Sequence, residues 1–275
     1  MDYLEINISN HDFCSMVYRS IKNKLPLSLT RFGDGEVGFL DGNDNPLYEF
    51  YKKASFDSSA GPMVGLDINR WEEYLSLCVD EINKGLKNSD VIGTMTKHDE
   101  IIDMGGFNDW WRVKKKVFEG LDRRGKMLVC DHAVVRCKEL GDANCFKKLL
   151  NHCDLNIISC RTNQLKSVGL EDILEANVYY TEIDEYTNIT QLSFIYDEVN
   201  KIKEDVVIVA LGALGKGIPQ HLSSMGKVCL DYGSTIDAWA GGLSRQPFYK
   251  GQAHDYCVLK DPARNDEYYE QVIKT

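Results

Sequence analysis

Seven short stretches of the chain are rich in apolar residues, several of them apolar on both faces: LSLTRF (27 to 32), DVIGTM (90 to 95), KMLVCD (126 to 131), LNIISC (155 to 160), ANVYYT (176 to 181), DVVIVALG (205 to 212) and KVCLDYG (227 to 233). A strand buried on both faces reads this way, and such strands belong to parallel sheets covered by helices. The segments between them carry a helical period. Ser9 and Asp12 open a helix to about Lys24, with Phe13, Met16, Val17 and Ile21 in one apolar stripe. Asp67 and Asn69 open WEEYLSLCVDEINKGL, with a stop expected near Gly85. Thr190 precedes QLSFIYDEVNKIK, whose Leu192, Ile195, Tyr196, Val199 and Ile202 share a side. The alternation predicts an α/β fold, a mostly parallel sheet flanked by helices.

The stretch from 41 to 66 lacks a period and is expected to be a mobile loop over a site. No repeat or Pro-rich linker divides the chain, so residues 1–275 are expected to form one domain, with 241–275 as a C-terminal extension.

Composition narrows the function. The 275 residues are 43% hydrophobic and 27% charged, enough for a sizeable core. The net charge of −10 disfavours indiscriminate binding to nucleic acid or anionic lipid. The basic stretches RVKKK (112 to 116) and DRRGK (122 to 126) read most simply as a solvated helix face. The nine cysteines include no C-x-x-C pair, which suits reduced thiols. MDYLEINISNHDF lacks the pattern of a signal peptide, and no apolar run reaches the roughly 18 residues of a membrane span. A cytoplasmic protein without membrane insertion is expected.

The chemistry concentrates at the strand ends. RFGDGE (31 to 36) follows the first strand. In an extended or turn conformation Asp34 and Glu36 point to one side, which suits Mg²⁺ or Mn²⁺, ions that take oxygen ligands and are held by one or two carboxylates plus phosphate and water. Gly33 and Gly35 allow close approach of a diphosphate, and Arg31 suits a phosphate or a supporting role. A turn without a ligand fits the same residues. In DVVIVALGALGKGIPQH, Gly212, Gly215 and Lys216 between a strand and a helix suit a phosphate cradle, although the spacing matches neither a dinucleotide fingerprint nor a Walker loop. In CDHAVVRC, residues 130 to 137, Asp131, His132 and Arg136 are candidates for acid/base work or substrate contact, and the cysteine spacing fits no common zinc site. ISCRTNQ puts Arg161 after another strand. Trp110 and Trp111 suit stacking on a sugar or base, and Asp231, Ser234, Thr235 and Asp237 follow the last strand, Asp237 as a possible base or acceptor contact and Ser234 or Thr235 as possible helix caps.

RFGDGE after the first strand, the intervening VCDHAVVRC and ISCRTN, and LGALGKGIPQHLSSMGKVCLDYGSTID near the carboxyl end together resemble the GT-D fold glycosyltransferases over roughly residues 10 to 240. The resemblance implies a Rossmann-like α/β architecture and sugar transfer from a nucleotide donor. By position, Asp34 and Glu36 match the family's metal-binding Asp-x-Glu pair, and Gly212 with its loop matches the segment after the penultimate strand. The chain departs from the pattern at EIDEYTNITQ (182 to 191) and at Ser234 to Asp237, which bears on the sugar, the acceptor and the base.

The expected function is therefore a metal-dependent hexosyl- or pentosyltransferase using Mn²⁺ or Mg²⁺. Arg31, Gly33, Gly35, Gly212, Gly215, Lys216 and Arg161 would serve the donor, with UDP-sugars favoured. Asp131, His132 and Asp237 are the catalytic candidates. Trp110, Trp111 and Arg136 would meet an acceptor, by default a glycan or glycoconjugate, alternatively hydroxymethylated bases of phage DNA. A nucleotide or phosphate-ester hydrolase and a non-catalytic nucleotide-binding module are the rivals.

Overall fold

In the computed structural model, the structure describes residues 8, 10–41, 70–94, 127–130, 149–167, 169–183, 192–233 and 236. Helix α1 (Asn10–Asn23) leads into β1 (Leu27–Phe32) and α2 (Asp34–Asp41). Helix α3 (Trp71–Asn88) precedes β2 (Val91–Thr94), and β3 (Met127–Cys130) follows. Next come β4 (Asp154–Ser159), α4 (Thr162–Ser167), α5 (Leu170–Leu174), β5 (Asn177–Glu182) and α6 (Leu192–Val199). Then β6 (Val206–Ala210) runs into a 3₁₀ turn (Gly212–Gly215), α7 (Ile218–Ser224) and β7 (Val228–Asp231).

Among the described residues, all seven strands fall on the predicted apolar runs and form one sheet in the order β3-β2-β1-β7-β6-β4-β5. Every pairing is parallel. The double-sided burial of β6 shows why its sequence does not alternate. Val206 and Ile208 join the core that holds Phe13 and Val17 of α1 and Leu165, Leu170 and Leu174 of α4 and α5. Val207 and Val209 join the opposite core, with Ile195 and Val199 of α6 and Ile218 and Leu222 of α7. Strand β5 lies at the sheet edge, and its residues are only exposed or half-buried. The start of β1 is tied to that of β2 side by side: the Ser28 N–H and hydroxyl donate to Asp90 Oδ2 at 2.9 and 2.6 Å, and the Asp90 N–H donates to Ser28 Oγ at 2.9 Å.

Two local expectations change. Helix α3 does not stop at Gly85 but runs through it to Asn88, where the Ser89 N–H donates to the Gly85 carbonyl at 3.0 Å. Gly85 is instead a contact point: a Cβ there would lie 2.3 Å from the carbonyl oxygen of Lys216. The segment after Phe32 is neither extended nor a simple turn, since Asp34 opens helix α2. A two-residue step on a helix rotates the side chain by roughly 200°, so the period-two argument for Asp34 and Glu36 does not apply there. Helix α2 is anchored by Phe39, whose ring lies 6.1 Å from that of Trp71 and 6.2 Å from that of Tyr74.

Candidate functional site

The carboxyl ends of β1 and β7 are neighbours, and a buried group of charges joins them. Glu36 is the third residue of α2, and its Oε2 accepts the N–H of Gly33 at 2.7 Å, the reach-back half of a capping box. Its Oε1 lies 3.0 Å from Lys216 Nζ. The same ammonium donates to Asp231 Oδ2 at 2.7 Å. Asp231 also accepts the Arg31 backbone N–H on Oδ2 at 3.1 Å and the Gly233 N–H on Oδ1 at 3.0 Å. The Arg31 guanidinium donates to the Tyr232 carbonyl at 3.1 Å. Arg31, Glu36, Lys216 and Asp231 are all buried, two cations against two anions.

Backbone geometry fixes this group from three sides. Gly233 has φ of +46°, and a Cβ there would lie 2.1 Å from Arg31 Nη1, so the arginine closes over a position that has no side chain. Lys216 follows the 3₁₀ turn, and its carbonyl accepts the Thr30 hydroxyl at 3.1 Å. Thr30 Oγ1 also bonds Ser89 Oγ at 2.6 Å. The Gly-rich turn, β1 and the end of α3 are thus stitched together beneath the charges.

The electrostatics follow from burial. Burial pushes the Lys216 ammonium toward losing its proton, but the Asp231 and Glu36 carboxylates outweigh it, so its pKa is raised and the group stays charged. Burial pushes the Asp231 carboxyl upward, with Lys216 and Arg31 opposing.

Of the residues singled out in the sequence, the structure brings together Arg31, Gly33, Glu36 and Lys216. Lys216 is only 2% exposed and turns inward, so its expected reach to a phosphate becomes a hold on Glu36 and Asp231. Asp34 and Gly35 form the first turn of α2 with Glu36. Gly212 is exposed at the start of the 3₁₀ turn, and Gly215 is buried at its end. Arg161 follows β4, its N–H donating to Ser159 Oγ at 3.0 Å. The chain leaving β6 turns toward β7 and the chain leaving β4 toward β5, on opposite sides, so Gly212 and Arg161 flank a topological switch point. Asp131, His132, Arg136, Trp110, Trp111 and Asp237, the loop beyond Asp41 and the extension 241–275 lie outside the described residues. Sequence reasoning missed Asp231 and Gly233 as parts of the cluster. Their signal was the DYG that ends β7, an acidic residue and a glycine at the mouth of a central strand.

A family model for a GT-D fold-like domain matches residues 8–239. The chain belongs to the GT-D fold-like family. Similar solved structures include one described as "The highly conserved domain of unknown function 1792 has a distinct glycosyltransferase fold", 15% identical with a TM-score of 0.53, the match covering 90% of this chain and 83% of that one. Another is described as a new glycosyltransferase from Streptococcus sanguinis, 16% identical with a TM-score of 0.53, over 97% of this chain and 96% of that one. At these identities the likeness is one of fold. No curated protein matches. In this GT-D-like fold, the Asp-x-Glu turn opens the helix after β1, and its Glu36 is bound to the loop after β6 and the end of β7.

Proposed function

We propose that the chain is a metal-dependent glycosyltransferase that takes a sugar from a nucleotide diphosphate sugar, UDP-sugars first, and passes it to an acceptor hydroxyl of a glycan or glycoconjugate. The observation that carries this reading is the ion-paired cluster around Glu36, at the mouths of the two central strands in a chain of GT-D-like family. The residues fit a divalent cation. Among the described residues, Glu36 meets Gly33 through Oε2 and Lys216 through Oε1, and a carboxylate oxygen can accept more than one partner. Ligating carboxylates are ordinarily oriented by such partners. Among the described residues, no group of three His, Cys, Asp or Glu side chains assembles to hold a metal, so Glu36 and Asp34 would share the ion with phosphate oxygens and water, as Mg²⁺ sites commonly do.

A bound Mn²⁺ or Mg²⁺ would supply Lewis-acid stabilisation of charge on the departing diphosphate. The chain supplies the rest. Gly33 and Lys216 orient Glu36, and the closure of Arg31 over Gly233 keeps the strand ends in register. The crevice flanked by Gly212 and Arg161 is the proposed seat of the donor, where exposed backbone and a guanidinium meet a nucleotide. Asp131, His132 or Asp237 is the proposed base for the acceptor hydroxyl, with Trp110, Trp111 and Arg136 on the acceptor side. No described helix is long and apolar enough to cross a membrane. The buried thiols of Cys78 and Cys229 suit the cytoplasm as the place of action.

The test is thermal stabilisation by UDP-, GDP-, ADP- and CDP-sugars with and without Mn²⁺, followed by transfer of labelled sugar to glycan acceptors. A ligand that binds the native state raises its apparent stability. Metal-dependent stabilisation by one nucleotide sugar, lost in Asp34→Ala, is expected. Stabilisation that persists unchanged in Asp34→Ala overturns the donor-site assignment, and phosphate release without transfer points to a hydrolase.

A further inference from the structure

The charges around Glu36 differ from those of a site made for a divalent cation alone. Lys216 Nζ sits 3.0 Å from Glu36 Oε1 and 2.7 Å from Asp231 Oδ2, on carboxylates carried by two different elements, with the lysine side chain only 3% exposed. An ammonium held by two carboxylates out of water already occupies the point on which both converge. We infer that Lys216 is a built-in cation that positions Glu36 and keeps divalent-cation affinity low until a nucleoside diphosphate arrives, so that ion and nucleotide enter as one unit. The inference rests on the metal-dependent reading above.

The charge arithmetic carries it. Arg31 and Lys216 cancel Glu36 and Asp231, all four being buried. A divalent ion beside Glu36 therefore faces a group without net charge and an ammonium bound to the same carboxylate. Repulsion between unit charges a few ångströms apart is weakly screened away from bulk water, so the lysine opposes an ion that comes alone. A diphosphate brings the missing negative charge together with the oxygen ligands such ions prefer. Lys216 acts through Glu36 and, at 2% exposure, is a positioning residue.

The experiment is Mn²⁺ titration followed by the loss of the free-ion EPR signal, on the full chain. It compares wild type, Glu36→Gln, Lys216→Met, Lys216→Gln and Lys216→Met/Glu36→Gln, each with and without UDP, GDP, ADP or CDP. Without nucleotide, Lys216→Met and Lys216→Gln are expected to bind Mn²⁺ roughly tenfold or more tightly than wild type, and the added Glu36→Gln to remove the gain. Wild type is expected to gain Mn²⁺ affinity when nucleotide is present. Should the lysine variants fail to fold, this wild-type coupling decides: equal Mn²⁺ affinity with and without a nucleotide that binds overturns the inference. So does tight nucleotide-free binding by wild type that Glu36→Gln abolishes, or folded Lys216→Met with no gain. If wild type binds Mn²⁺ with nucleotide yet Lys216→Met gains nothing, the lysine assignment falls and the donor reading stands. If Lys216→Met gains an ion but no nucleotide binds in a metal-dependent way, the donor reading falls and the lysine assignment stands.

Discussion

Replacing Gly85 by alanine sets two well-characterised effects against each other, and the structure decides the sign. In an exposed helix interior the exchange would stabilise by about 1 kcal/mol, because glycine pays the larger backbone entropy. Gly85 is in the last turns of α3 but buried, and an added Cβ would sit 2.3 Å from the Lys216 carbonyl oxygen, 2.8 Å from Thr30 Cγ2 and 3.0 Å from the Lys216 carbonyl carbon. Two of these neighbours are backbone and cannot swing aside. Relief requires α3 to lift from the Lys216 loop, and overpacking of this kind costs about 1–3 kcal/mol. The lift also strains the buried 3.1 Å hydrogen bond from Thr30 Oγ1 to that carbonyl. Thr30 keeps Ser89 as a partner but the carbonyl loses its donor, a further loss of about 1 kcal/mol.

The helix gain offsets only part of this, and the net expectation for Gly85→Ala is a loss of about 1–3 kcal/mol, or roughly 2–8 °C in Tm for a domain of this size. The assay is urea denaturation followed by far-UV circular dichroism, with Ser76→Ala as the control. Ser76 is exposed on the same helix, and its replacement is expected to stabilise by a few tenths of a kcal/mol, roughly the helix-propensity difference. If Gly85→Ala proves as stable as wild type or more so, while the control behaves, the close packing of α3 on the Lys216 carbonyl is refuted.

Three further outcomes are expected. Gly233→Ala places a Cβ 2.1 Å from Arg31 Nη1 at a φ of +46°, so the guanidinium must leave the Tyr232 carbonyl; a loss of about 1–3 kcal/mol in the same denaturation assay is expected. Burial raises the pKa of the Cys78 and Cys229 thiols and both are fully covered, so a thiol-reactive disulfide reagent should label them only after denaturant is added. Burial, opposed by Glu81, lowers the His221 pKa below 6.5; the unfolded chain then binds more protons as pH falls through that value, and wild type should lose stability between pH 7 and 5 more steeply than His221→Gln. Equal slopes would contradict the assignment, with the size reduced by solvent screening at this half-buried site.

What was legible in the chain was whatever depends on local pattern. Strand β6 shows because a strand covered on both faces leaves an unbroken apolar run, as Val206 to Val209 do, and the other strands show as short stretches rich in apolar and β-branched residues. Helices α4 and α5 were missed because their six and five residues are too few to display a period. Gly85 was misread for a different reason. Glycine is the usual mark of a helix end, but here it answers a neighbour in the Lys216 loop, and no rule along the chain announces that approach.

RFGDGE shows the same division within six residues. Its composition marks a ligand-ready turn, and Glu36 three positions after Gly33 is a helix-start signature that was available from spacing. With two glycines in the segment, helix propensity argued against that start, and it forms because Glu36 caps it and Phe39 packs on Trp71 and Tyr74. The partners that give Glu36 its meaning come from far away: Asp231 is 200 residues from the Arg31 N–H that it accepts, and Lys216 joins both carboxylates from the loop after β6. Sequence reading singles out Asp34 and Glu36 as candidate carboxylates for a cation. Only the sheet order, which seats β7 beside β1, reveals that one of them already has a cation of its own in Lys216.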